Sequence, residues 1–292
     1  MSSSEIIAIN PSKIFPLTSE MPDAPSELFA RGTPPFPETK LLTVVGSRSY
    51  TNYGRDACEE LIAGLTGYDI AIVSGLALGI DAIAHRAAMK AHLSTIAVPG
   101  SGLSPEVLYP ASHRGLAEDV VAKGGALVSE LPPETRAAQW TFPKRNRIMA
   151  GMAHATLIIE AGERSGTLIT ARLALDYNRE LLVVPHSIFS EGAHGSNRLL
   201  RQGAAPAIDS SDILRALGFD PEAGGSAKNA SATPTDLPAP QLKLLSLLVE
   251  PLSRDELIRK SELSITDANI ALSALEIKGC IKESVGLVRR VK

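Results

Sequence analysis

Four short clusters could hold an anion. The run Val45-Gly46-Ser47-Arg48 closes a β-branched apolar stretch. There Gly46 lets the backbone approach a ligand, Ser47 adds a hydroxyl, and Arg48 offers a planar fork of donors that fits phosphate. An ordinary strand–helix turn carrying a surface arginine explains the tripeptide equally well. Phe142-Pro143-Lys144-Arg145-Asn146-Arg147 gathers three cations, an amide and a ring. Phosphates take the cations and an unstacked base takes the ring. Its competitor is a solvated helix start, but helix N-termini favour acids, so an anionic ligand is the better reading. In Glu160–Thr167, the turn Ser165-Gly166-Thr167 would present amides and hydroxyls to an anion, unless it is a simple helix cap. Ser74-Gly75-Leu76-Ala77-Leu78-Gly79-Ile80-Asp81 lacks the G-x-G-x-x-G spacing. Close helix–strand packing is preferred there for Gly79 and Asp81.

Other chemistries find no support. The six histidines make no H-x-x-x-H or His/carboxylate ligand spacing, and His85 reads as a packed side chain. Cys58 and Cys280 stand far apart, which suits a reducing compartment and excludes a cysteine zinc site or disulfide framework. Neither a G-x-S-x-G elbow nor a G-x-x-x-x-G-K-[ST] loop occurs. No catalytic residue, metal or cofactor is therefore expected. The net charge of −3 requires any nucleic-acid contact to come from a local cluster. Aromatics make up only 4% of residues, which argues against stacking many bases along a broad face.

The elements that must position these clusters are short apolar runs alternating with helical stretches. The runs are Leu41–Val45, Ile70–Val73, Thr95–Val98, Ala126–Val128, Thr156–Ile159 and Leu181–Val184. Candidate helices cover Arg55–Leu65, Asp81–Ala91, Arg145–Met152 and Thr167–Leu175. That alternation predicts an α/β fold, a doubly wound Rossmann-like sheet over 41–219. Residues 1–40 read as an extended lead-in packing through Ile14, Phe15, Leu28 and Phe29. Residues 220–240 are a flexible linker by composition. Over 241–292, three helices (Gln241–Val249, one from Ser253, and Thr266–Lys278) and a hairpin through Val285-Gly286 suggest a small winged helix of charge +2. Ser253-Arg-Asp-Glu256 has the form of a capping box. With no secretory pattern at Met1–Glu5 and no apolar run near ~20 residues, a cytoplasmic protein without a membrane span is expected.

Taken together and in order, the four clusters resemble the DNA-processing protein A family. Ala84-His85-Arg86, Val128-Ser129-Glu130 and Gln202-Gly203-Ala204 belong to the same resemblance, which covers about residues 14–215. It implies a Rossmann-like domain that binds single-stranded DNA without cutting it, forms a homodimer, and hands the strand to the RecA recombinase in natural transformation. Carried over, Gly46, Ser47 and Arg48 would hold a phosphate and Phe142 would stack a base. Lys144, Arg145, Asn146 and Ser165–Thr167 would line the same pocket. The sequence departs from the family at Ala111, Gln139 and His186, where two basic residues and a glycine are usual. Lys144 is the candidate substitute for the missing cations. A related group of nucleotide-processing enzymes, the phosphoribohydrolases that resemble lysine decarboxylases, is the alternative; their catalytic carboxylate would fall at Thr170. The winged helix would contact duplex DNA or a protein, or merely stabilise the chain. Asn197–Ile208 is a candidate dimer contact or part of the core.

Overall fold

The computed structural model describes residues 5–221, 237–284 and 286–290. It divides into two compact units, Met1–Gly225 and Ser226–Lys292.

The first unit is built on a nine-stranded sheet ordered β1-β2-β6-β5-β4-β3-β7-β8-β9. In chain order its elements are β1 (Ile6–Ile9), α1 (Pro11–Ile14), β2 (Leu28–Gly32), β3 (Lys40–Val45), α2 (Asn52–Ala63), β4 (Ile70–Ser74), α3 (Ile80–Lys90) and β5 (Ser94–Ala97). They continue with α4 (Arg114–Ala122), β6 (Ala126–Ser129), α5 (Thr141–Met152), β7 (Ala155–Ile158), α6 (Thr167–Asp176), β8 (Glu180–Val183), α7 (His194–Arg201), β9 (Ala205–Pro206) and α8 (Ser210–Ala216). Strands β3 to β9 run parallel. The chain starts at β3, steps out to β6, then returns to place β7 on β3's other side. That reversal makes the carboxyl ends of β3 and β7 a topological switch point, the usual ligand position in such sheets.

Both sheet faces are dry, as a parallel sheet requires. Leu41, Val45, Val73, Ile158 and Val183 pack with Ile148 and Met149 of α5 and Ala171 of α6. The alternate positions Leu42, Val44, Ile72, Leu157 and Leu182 pack with Cys58 and Ile62 of α2, Ile80 of α3 and Ile213 of α8.

The lead-in is more than extended chain. β1 pairs antiparallel with β2, and β2 with β6, so residues 6–9 and 28–32 extend the sheet itself. Phe15 and Leu28 are buried, and Ile14 and Phe29 half-buried. Buried Arg179 of the α6–β8 turn ties the segment down, donating to Leu17 O (2.8 Å) and pairing with Glu20 (2.5 Å). Within Asn197–Ile208, Leu199 and Ala207 are buried and Leu200 and Ala204 pack against the core, while Ala205, Pro206 and Ile208 are exposed.

The second unit carries α9 (Ala239–Leu247), β10 (Leu252–Ser253), α10 (Arg254–Ser261), α11 (Ile265–Ile277), β11 (Ile281–Ser284) and β12 (Leu287–Arg290). Its three antiparallel strands are ordered β10-β12-β11, and Leu244, Leu257, Leu272, Leu275 and Val288 form its core. Most of the expected linker, residues 222–236, lies outside the described residues. Its last residues already belong to this unit, since Leu237 is buried in the core and α9 starts at Ala239. Ser253 Oγ accepts from Glu256 N–H (3.2 Å), while Glu256 pairs with Lys260 (3.0 Å), one half of the expected capping box. Among the described residues no helix is long and apolar enough to cross a membrane.

His85 on α3 is fully buried. Thr95 Oγ1 donates to Ile72 O (3.0 Å), so it accepts from His85 Nδ1 (2.8 Å), which fixes the proton on that nitrogen. Burial, followed by the charges of His113, Arg145 and Arg86, pushes its pKa down to about 3. An unfolded histidine titrates near 6.5, so the unfolded chain takes up this proton first and stability falls as pH drops below about 6.5. Between pH 6.5 and 5 His85 alone is expected to cost about 2 kcal/mol. Urea titrations at both pH values check this, and an unchanged midpoint would contradict it.

Candidate nucleic-acid interface

The loops leaving the carboxyl ends of β3, β4 and β5 meet the first turn of α5. Between them lies a recess of about 300 Å³ lined by Arg48, Gly75, Ala77, Leu78, Tyr109, Pro110, Phe142 and Arg145. Thr141 Oγ1 donates to Gly100 O (2.6 Å), which pins the start of α5 to the end of β5. This sets the Phe142 ring over Gly100, where any Cβ would come within 2.6 Å of the ring. The Phe142 ring meets Tyr109 edge-on, with centroids 5.6 Å apart, and Arg48 Cζ lies 5.6 Å from its centroid. Phe142 is half-buried, whereas Arg48 is exposed and, among the described residues, has no carboxylate within ion-pair distance. A guanidinium beside an open ring offers a phosphate donor and a base-stacking face at one mouth.

The turn carrying Arg48 is fixed by α3. Ile80 N–H donates to Ser47 O (3.2 Å), and Gly79, at φ +82°, leaves no room for a Cβ against Ser47 O and Arg48 Cα. The packing reading of Gly79 therefore matches its geometry. Gly46 also serves packing, because Ile80 occupies the space its side chain would need. Ser47 Oγ accepts from Ser49 N–H (3.1 Å) and shapes the same turn.

Arg145 is not an exposed phosphate clamp. It is buried beneath the recess, donates to Val98 O (2.9 Å), and faces Asp81 Oδ2 at 4.0 Å. Asp81 Oδ2 also accepts from Gly75 N–H (3.1 Å), so the aspartate organises the floor as well as the start of α3. Burial pushes the Asp81 carboxyl up, and the Arg145 guanidinium opposes that shift. Lys144 and Arg147 converge on Glu130, at 3.5 and 2.5 Å, and Arg147 also reaches Asp23. The cations early in α5 thus each face one of the protein's own carboxylates. Lys144 lines an adjoining recess with Ser129, Glu130 and Thr141. Asn146 is half-buried outside both.

Ser165, Gly166 and Thr167 stand at the end of β7, beside β3 but outside the Arg48–Phe142 recess. Ser165 Oγ accepts from Thr167 N–H (3.2 Å), an internal turn at the start of α6. Of the recess lining, the sequence reading left out Gly75, Ala77, Leu78, Tyr109 and Pro110, and it gave Asp81 beneath it only a packing role. The signal that could have placed Arg145 inward is helical spacing, since Thr141, Arg145, Ile148 and Met152 lie on one buried face of α5.

A doubly wound parallel sheet with a cationic, aromatic recess over the carboxyl ends of β3 to β5 defines a Rossmann-like fold, with a winged helix in the second unit. The chain belongs to the DNA recombination-mediator protein A family, whose pattern matches residues 5–218, and the DprA winged helix domain matches residues 227–286. It is 39% identical over 197 residues to protein Smf of Escherichia coli K12, a match covering 68% of this chain and about half (52%) of that protein. To the DNA processing protein DprA of Bacillus subtilis 168 it is 39% identical over 196 residues, covering 67% of this chain and 65% of the relative. The crystal structure of Streptococcus pneumoniae DNA processing protein A superposes with a TM-score of 0.67 at 34% identity, covering 75% of each chain. A Helicobacter pylori DNA processing protein A structure, described for its single-stranded DNA binding mode, gives 0.63 at 26% identity, covering 74% of this chain and 98% of that one.

Proposed function

We propose that the protein binds single-stranded DNA without catalysis and hands it to the RecA recombinase during natural transformation, acting in the cytoplasm as a homodimer. The observation that carries the binding step is the Arg48–Phe142–Tyr109 cluster, a guanidinium with no carboxylate partner among the described residues set against a half-buried ring. The DNA binding described for the Helicobacter pylori relative supports the same ligand. Against a phosphoribohydrolase, the position where the catalytic carboxylate would fall is Thr170, which is buried. The one carboxylate under the recess, Asp81, is itself buried against Arg145. In the winged helix, α11 exposes Ile265, Ile270 and Ile277, and its one Asn, half-buried Asn269, is engaged by Arg254 Nε (3.1 Å), which does not suit a major-groove reader. A protein-contacting or accessory role suits it better than sequence-specific regulation.

The test is an anisotropy titration with a labelled 15-mer of deoxythymidine at several salt concentrations. Two or three neutralised phosphates would give a log–log slope of roughly −1.4 to −2.1. A flat salt response would reject phosphate binding, and release of free base from nucleoside monophosphates would favour the enzyme instead. RecA loading is read separately, from the protein's ability to speed recombinase assembly on strands covered by a competing single-strand binder.

A further inference from the structure

The first unit's exposed apolar side chains are unevenly placed. Of the eleven large ones among its described residues, only Phe36 and Leu175 lie elsewhere. The other nine sit on loops or first helical turns that leave the carboxyl ends of strands, along the rim holding the Phe142 recess. The most accessible is Phe189, 88% exposed beside Ile188 at 76%, in the loop that follows β8. That loop is anchored at its base. Tyr53 Oη donates to Pro185 O (2.9 Å), His186 Nε2 to Ile159 O (2.7 Å), and His186 pairs with Asn197 through its backbone amide and carbonyl. The half-exposed Tyr53 ring stands edge-on to His186 at 4.9 Å. A turn closed by Ser190 N–H to Ser187 O (3.0 Å) holds Ile188 and Phe189 at its apex. Ile188 and Phe189 thus form a fixed apolar tip on a rim that carries seven further exposed apolar side chains, and such clustering marks a contact surface.

We propose that Phe189, supported by the Tyr53–His186 pair, is a second stacking station for the same DNA strand, which crosses the switch point from the Phe142 recess. The inference rests on the single-strand reading of that recess. Phe142 lies over the end of β5, four strand steps from β8 in the order β5-β4-β3-β7-β8. At ~4.8 Å per step the two stations are about 19 Å apart. A stacked strand advancing ~3.4 Å per nucleotide spans that in about six nucleotides. The loop's own charged residue is Glu191, an acid, so this end offers a ring more than a phosphate site.

The full chain is titrated with deoxythymidine oligomers of four and fifteen nucleotides. Phe189→Ala is expected to weaken the 15-mer at least about fivefold, leave the tetramer unchanged, and keep the salt slope. Phe142→Ala should weaken both. Phe189→Trp supplies an independent signal: its fluorescence, corrected for Trp140, should respond to the 15-mer and not to the tetramer. Equal 15-mer affinity for Phe189→Ala and the parent protein, or equal loss for both lengths, overturns the second station. If Phe142→Ala still weakens binding in that case, the recess reading stands. If neither variant has an effect, the recess reading itself fails.

Discussion

Replacing Asp81 by alanine is expected to lower the unfolding free energy by about 3–5 kcal/mol, because it strands a buried guanidinium without its counter-charge. Asp81 and Arg145 are each more than nine-tenths buried and face one another at 4.0 Å, with Gly75 N–H on the same carboxylate oxygen. The loss should appear as a lower denaturant midpoint at unchanged slope. The double variant Asp81→Ala with Arg145→Met should recover much of it, since removing both charges removes the desolvation cost as well. If Asp81→Ala alone unfolds at the parent midpoint, the pair does not hold up the floor of the recess.

Arg48→Glu should weaken binding of a deoxythymidine 15-mer by a hundredfold or more while leaving thermal stability intact. A charge-assisted hydrogen bond contributes about 1.5–3 kcal/mol, or roughly tenfold to 150-fold in affinity, and charge reversal adds repulsion from the phosphate. Arg48 is exposed and makes no ion pair among the described residues, and its charge favours the buried Asp81 carboxylate while opposing Arg145, so little net stability rests on it. Lys144→Glu should do much less, because Glu130 already shares that ammonium at 3.5 Å. Full affinity in Arg48→Glu would remove the recess from consideration.

The central strands were legible because a dry parallel sheet needs unbroken runs of branched side chains. Each of the six expected strands begins within one residue of its place in the structure. β1 and β2 were not legible: Ile6–Ile9 and Leu28–Gly32 are brief, and their role comes from pairing with β6, a contact no local pattern encodes. At the site, Arg48 and Phe142 were readable as a pair of chemistries. Of the three cations in Lys144-Arg145-Asn146-Arg147, composition marks all alike, whereas their helical angles send Arg145 inward and leave Lys144 out. Aromatic content misled in a different way. Half of the twelve aromatic residues stand on one rim, so a low average conceals a dense local supply.

The antiparallel attachment of β2 to β6 has a bearing on how the chain assembles. Phe29 meets Ser129, one hundred residues later, so β2 must wait for β6 before it can dock. Until β2 docks, the outer flank of β6 is an unpaired template. The opening segment then acts as a built-in edge cover, sealing that flank against neighbouring chains once it folds back.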